Sequence, residues 1–467
     1  MVVMRRKIYD ELVRWKAEKG QECLTVKGQR QVGKTYIIDK FASENYAHKV
    51  YIDFNRNPEL MAAFENGISV DSIVKELSIR MEGSEFVPYS TIVVLDEIQE
   101  CPRARSSLKY FALDERYDVI ASGSLLGVTN TNAKKKSDKG PMMPMGYERV
   151  ITLRSMDFEE YLWAINFPQD ILDQVKEKVL SRTPLDQAEF EVLSRHFRSF
   201  MIVGGMPASV HEFVEKGSFS DSGSELDKIV GSIVNDINRY NDPINSRKTQ
   251  RCFESIPEQL GFSNKKFQYS RVDKGSGSRA SAEKYLENLL WVESAGYGNF
   301  CYSLESPLLP FKRIDDSFRV YMSDTGILVR MMGVSAARAI YDGAIGFNMG
   351  AIMENEVAEC ISKCGFKPYF YRKSSGKNQM ELDFVIDLGG ESVVIEVKSG
   401  KDRSAPSIHK VMDVFTVDRR MIFEDGNILV DGEGIEHYPL FAAAFIGLLE
   451  KGSTIRFRSF VCKRKFY

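Results

Sequence analysis

No apolar stretch in the 467 residues is long enough to cross a bilayer. The longest run, Leu440 to Leu449, falls well short of the roughly 20 residues that a spanning helix needs. A secretory leader is not evident either: Arg5, Arg6 and Lys7 lead into a charged amphipathic segment where an apolar core would be required. Cysteine is sparse, with seven scattered residues, which excludes a disulfide framework and fits a reducing compartment. Charge of neither sign dominates. A net charge of −2 creates no global attraction for nucleic acid, so any basic surface must be local. These absences predict a cytoplasmic protein with no membrane partner. What remains is ordinary for a globular chain, 43% hydrophobic and 27% charged, and the length predicts two to four domains, each with its own core.

The most informative stretch is Gly28-Gln29-Arg30-Gln31-Val32-Gly33-Lys34-Thr35, which fits G-x-x-x-x-G-K-[ST]. A β-leaning segment, Cys23 to Lys27, precedes it, and the helix-like Tyr36 to Phe41 follows. In that strand–loop–helix setting the backbone N–H groups cradle phosphates, Lys34 reaches the β- and γ-phosphates, and Thr35 helps hold Mg²⁺. Lys49 to Phe54 reads as a strand and Val70 to Arg80 as a helix. Thr91-Ile92-Val93-Val94-Leu95-Asp96-Glu97 is continuously apolar until its two acids, as expected for a strand buried on both faces of a parallel sheet. Acids at a strand's carboxyl end, paired with a phosphate loop, form a Walker B pattern. Asp96 is expected to coordinate Mg²⁺ and Glu97 to polarise the attacking water. Tyr117 to Ala121 reads as another buried strand, and Ser122 or Ser124 at its end is a candidate sensor of the γ-phosphate. Arg103, Arg105 and Arg239 are the candidate arginine fingers.

Taken together, the Gly28–Thr35 loop, Leu95-Asp96-Glu97-Ile98-Gln99, Ser122-Gly123-Ser124, the Leu153–Leu162 stretch, Gly204-Gly205-Met206-Pro207 and Asp236 to Tyr240 resemble a known family. It is that of AAA-type ATPases of bacteria and archaea with a C-terminal domain of unknown function. The resemblance spans nearly the whole chain. It implies an α/β fold: a P-loop NTPase parallel sheet (1–155), a helical lid (156–240), a winged helix (241–335) and a small α/β restriction-endonuclease-like domain (336–467).

The later residues carry their own signals. Apolar spacing from Met156 to about Tyr240 predicts helices with turns near Thr183-Pro184 and Gly204-Gly205, suited to a lid over nucleotide. Phe253 to Leu260 and Ala280 to Ala295 read as helices, and Phe300 to Leu304 as a strand, as in a winged helix. The basic Asn264 to Arg279 stretch between those helices, the lysine-rich loop Thr129 to Pro144 and the basic-aromatic end Arg456 to Tyr467 are candidate contacts for DNA or RNA.

A second chemical centre is predicted downstream. Helical spacing over Gly346 to Gly365 puts Glu354 on the apolar face and points Glu356, Glu359 and Lys363 away. Alternation places Glu381 and Asp383 on one strand face, and Glu396 with Lys398 on one face of the next, so a hairpin would bring Asp383 beside Glu396 and Lys398. Adjacent carboxylates call for a divalent cation, Mg²⁺ or Mn²⁺, which polarises a phosphodiester while Lys398 positions water. Glu354, Asp383, Glu396 and Lys398 resemble the PD-(D/E)xK nuclease core position by position, with Leu382 standing where a proline commonly precedes the aspartate. The expected protein is an ATP-hydrolysing AAA-type enzyme whose nucleotide state gates a metal-dependent nuclease-like domain. The alternative is an ATPase switch whose C-terminal modules bind nucleic acid, a protein partner or a second copy without cutting.

Overall fold

The computed structural model describes residues 4–18, 22–124, 146–262, 264–272, 281–343, 349–376, 378–400 and 405–450. The lysine-rich loop, Lys274, Arg279 and the basic-aromatic end lie outside the described residues. The chain divides into two compact units, one of Arg5–Ser155 with Ser294–Gly296 and one of Met1–Met4, Met156–Glu293 and Tyr297–Tyr467.

The first unit is built on five parallel strands: β1 (Cys23–Gly28), β2 (His48–Asp53), β3 (Thr91–Asp96), β4 (Asp118–Ser124) and β5 (Glu148–Leu153), in the order β2-β3-β4-β1-β5. Every residue of β3 is buried, as its unbroken apolar run requires of a strand flanked by neighbours and covered on both faces. Val93 and Leu95 join Leu77, Leu108 and Phe111 in one core, beneath helices Val70–Arg80 and Pro102–Asp114. Strand β4 runs through Ser122-Gly123-Ser124 and does not stop at Ala121, because its ladder with β1 continues to Gly28 opposite Ser124.

The second unit contains an eight-stranded mixed sheet. Its strands are β6 (Gly298–Leu304), β7 (Arg313–Met322), β8 (Tyr369–Lys373), β9 (Met380–Asp387), β10 (Ser392–Val397), β11 (Arg419–Glu424), β12 (Leu429–Val430) and β13 (Glu436–Pro439), in the order β12-β13-β11-β10-β9-β8-β6-β7. β10, β11 and β13 are parallel neighbours, and β9–β10 and β6–β7 are antiparallel pairs. Helices Phe158–Ala164, Gln169–Ser181, Gln187–Val203, Pro207–Lys216 and Phe219–Tyr240 include the two expected breaks, near Thr183-Pro184 and Gly204-Gly205, and two more, before Gln169 and before Phe219.

Three expectations change here. The stretch read as a lid is part of this second unit, with helix Gln187–Val203 packed on helices Thr325–Met332 and Val334–Tyr341. The hairpin β6–β7, expected to close a separate winged helix, shares one sheet with the C-terminal strands, because β6 pairs in parallel with β8 through Tyr302–Tyr369 and Ser303–Phe370. Finally, helix Met349–Lys363 has no exposed acidic face: Glu356 and Glu359 are each 1% exposed. Glu359 accepts hydrogen bonds from the Thr325 N–H (2.6 Å) and hydroxyl (2.8 Å) and pairs with Lys363. Lys363 in turn donates to the Met156 carbonyl at 2.6 Å, so partners, not water, satisfy Glu359 and Lys363, whereas Glu356 keeps one oxygen buried without a hydrogen bond.

Candidate functional site

Strand β1 delivers its last residue, Gly28, to the carboxyl edge of the first sheet. A Cβ there would lie 2.3 Å from the Leu153 carbonyl oxygen, so only glycine lets the loop leave the strand beside β5. Gln29 to Val32 then turn the chain, with Arg30 half-buried, Gln31 exposed and Val32 buried beneath the loop. Gly33 accepts the Ile37 N–H at the start of helix Lys34–Asn45. The loop is tied from below, where Arg6 donates to the Val32 carbonyl at 2.9 Å and to the Arg154 carbonyl at 2.7 Å.

Lys34 curls back over the loop and donates to the carbonyls of Gly28 (2.9 Å) and Gln29 (2.7 Å). Next to it, Thr35 donates to Asp96 Oδ2 at 3.1 Å. Asp96, at the end of β3, also accepts from the hydroxyls of Ser122 and Tyr51 and from the Glu97 N–H at 3.0 Å. Four donors thus converge on this one carboxylate. Burial, then its bond to Asp96, pushes the Tyr51 phenol well above its ordinary range and keeps it neutral. Glu97 follows in a left-handed conformation (φ 54°, ψ 45°), and Gln99 donates to its carboxylate. Ser124 sits on β4 opposite Gly28. The Thr35 hydroxyl and Asp96 carboxylate supply oxygen donors of the kind a hard divalent cation takes. Sequence reading missed Tyr51 and Gln99. Their signal is position, Tyr51 near the end of β2 and Gln99 two residues past Glu97. Of the arginines, Arg103 donates to the Glu65 carbonyl (2.6 Å) and Arg105 pairs with Glu148 (3.5 Å), so both serve their own unit. Arg239 lies over the Tyr240 ring, its guanidinium 5.5 Å from the centroid.

In the second unit the β9–β10 register sets Phe384 opposite Ile395, and one step further Asp383 meets Glu396. Asp383 Oδ2 accepts the Val397 N–H at 3.0 Å, and Lys398 donates to Glu396 Oε1 at 2.8 Å. Burial first, and the Asp383 charge second, push the Glu396 carboxyl up to about 8. Its Oε2 is buried without a hydrogen-bond partner. Glu354 departs from expectation. It faces Lys265, with which it forms an ion pair, and accepts the Tyr321 hydroxyl at 3.5 Å. Burial, then Asp383, raises its carboxyl above the usual range. Buried Arg319 pairs with Glu381 beside this cluster. Among the described residues no group of three His, Cys, Asp or Glu side chains is assembled to hold a metal. Asp383 raises both Glu354 and Glu396, so the three acids of the sequence reading share one neighbourhood, in which Glu354 is paired with Lys265 from a distant part of the chain.

Residues 20–162 match a family described as an AAA domain. That match covers the phosphate loop and the strand that ends in Asp96. Beyond it, residues 194–338 and 349–440 match two domains of unknown function, DUF8612 and DUF4143. Solved structures similar to the chain include a Walker-type ATPase of Pyrococcus abyssi, with 13% identity, a TM-score of 0.42, and 71% of this chain and 96% of that one covered. Also similar are C. elegans PCH-2 (13%, TM-score 0.26, 50% and 64%) and AMPPCP-bound DnaA from Aquifex aeolicus (13%, TM-score 0.26, 62% and 87%). No curated protein matches the chain. The AAA assignment rests on the family match together with the geometry around Lys34 and Asp96. No helix among the described residues is long and apolar enough to cross a membrane.

Proposed function

We propose that the protein hydrolyses ATP at the Lys34–Asp96 site and that its nucleotide state governs a C-terminal module acting on nucleic acid. The observation that carries the first half is the convergence of Thr35 and Ser122 on one carboxylate, Asp96, beside the phosphate loop. Lys34 exchanges its loop carbonyls for the β- and γ-phosphate oxygens, and the N–H groups of Gln29 to Thr35 cradle the phosphates. Thr35 and Asp96 hold Mg²⁺, which when bound neutralises phosphate charge. Glu97, steadied by Gln99, orients the attacking water, and Ser122 or Ser124 would sense the γ-phosphate. Lys34→Ala is expected to abolish nucleotide binding. Glu97→Gln is expected to keep binding and slow hydrolysis roughly 10²-fold or more. Binding by calorimetry and phosphate release check both, and wild-type turnover by the Lys34 variant would end the proposal.

The second half rests on the buried, unpartnered Glu396 Oε2 beside Asp383, a donor pair that fits one Mg²⁺ or Mn²⁺ ion. Lys398 then positions water against a phosphodiester. Metal-dependent cleavage of DNA or RNA should vanish in Asp383→Ala and Lys398→Ala while ATP hydrolysis persists. One observation favours a module that binds without cutting: Lys265 neutralises Glu354 and removes the third carboxylate. That reading expects ATP-dependent association, unchanged by Lys398→Ala, with no cleavage of any strand.

A further inference from the structure

The second unit encloses a cavity of about 270 Å³ that neither proposed activity uses. Strands β10, β11 and β13 run parallel, and the residues just beyond or at their carboxyl ends, Ser399, Glu424-Asp425 and Leu440-Phe441, form one wall. Crevices at the carboxyl ends of parallel strands are where such sheets bind ligands. The opposite wall is a single stripe of helix Gln187–Val203, in which Ser194, Phe197, Arg198 and Met201 recur at i, i+3, i+4 and i+7. Met349 and Met353, one turn apart at the start of helix Met349–Lys363, complete an apolar and adaptable lining.

Two charges facing this space are unspent. Arg198, half-buried, has no ion pair or hydrogen-bond partner among the described residues, and neither has the exposed Asp425. They do not pair with each other across the cavity. The neighbouring Glu424 is already engaged, receiving His437 Nδ1 at 2.9 Å, and that bond raises the imidazole above its ordinary range. A cation and an anion held apart over an apolar lining match a small molecule carrying both charges and an apolar group. Free nucleotides and phosphate fit poorly, because Asp425 and Glu424 would repel them.

We propose that this cavity binds a free amino acid with an apolar side chain, its carboxylate on Arg198, its ammonium on Asp425 and its side chain among the methionines. The volume suits that size, lying near the ~300 Å³ lower end of ligand pockets. The proposal is independent of the nuclease reading.

Calorimetric titration of the full chain with L-methionine, L-leucine and L-phenylalanine tests it. At least one should bind saturably, and its amide and N-acetyl derivatives, each lacking one charge, should not. Arg198→Met and Asp425→Asn should each weaken binding about tenfold or more, with Arg198→Lys recovering part of the loss. Circular dichroism identical to wild type accompanies each variant, since neither side chain carries a structural bond among the described residues. The proposal is overturned if none of the three amino acids binds, if the blocked derivatives bind equally well, if both charge variants retain full affinity, or if AMP or inorganic phosphate displaces the amino acid.

Discussion

Glu396 shows what burying a carboxylate beside another does to a folded protein. Its carboxyl rises from an ordinary 4.5 to about 8, through burial and then Asp383. Between those values the native chain holds a proton that the unfolded chain has released. This group's contribution to stability is therefore complete below about pH 4.5 and is lost as the pH climbs through 8. Glu396→Gln removes that dependence. The variant should match wild type at pH 4.5 and exceed it at pH 8 by on the order of 4 kcal/mol. Denaturant titrations at both pH values check this, and parallel curves for the two proteins would refute it. The same residue shows the limit of reading pairs from a sequence. Alternation within two strands placed Asp383 near Glu396, but nothing local signals that Lys265, far back in the chain, meets Glu354.

Among the elements, one close junction is the crossing between the end of helix Gln187–Val203 and the start of helix Thr325–Met332. Asp324 caps the second helix through the Ile327 N–H, and its other oxygen accepts the Gly205 N–H at 2.9 Å. A Cβ on Gly326 would sit 2.5 Å from the Gly204 Cα and 2.6 Å from its nitrogen, against backbone that cannot yield. Gly326→Ala should therefore cost about 3 kcal/mol. Gly231, inside helix Phe219–Tyr240, has no heavy atom within 4 Å of its added Cβ, so Gly231→Ala should stabilise by about 0.5–1 kcal/mol. Urea midpoints moving in opposite directions are the expected result, and an unmoved Gly326→Ala midpoint contradicts the close approach. The motif Gly204-Gly205-Met206-Pro207 thus finds a use in packing, against Asp324 and Gly326, that its sequence alone does not disclose.

For the whole molecule, what could be read in advance was what is local and periodic. The unbroken apolar run of β3, the loop between β1 and helix Lys34–Asn45, and helix Val70–Arg80 stand where the pattern put them. Helix Pro243–Leu260 began ten residues before the stretch that betrayed it, since it is capped by Asp242 and runs on through Pro257. Helix Met349–Lys363 misled for a different reason: Glu359 and Lys363 pair with each other and with Thr325 and Met156 far off in the chain, so a polar face there does not mean a wet one. Least visible was the way β6 joins β8, a pairing between residues more than sixty apart. A recombination event at 335/336 would look harmless in the sequence, falling between two apparent modules. It would in fact divorce β6 and β7 from the sheet they complete and leave the edge of β8 bare. The two regions cannot be exchanged piecemeal among proteins, and lineages carrying this sheet should inherit its halves together.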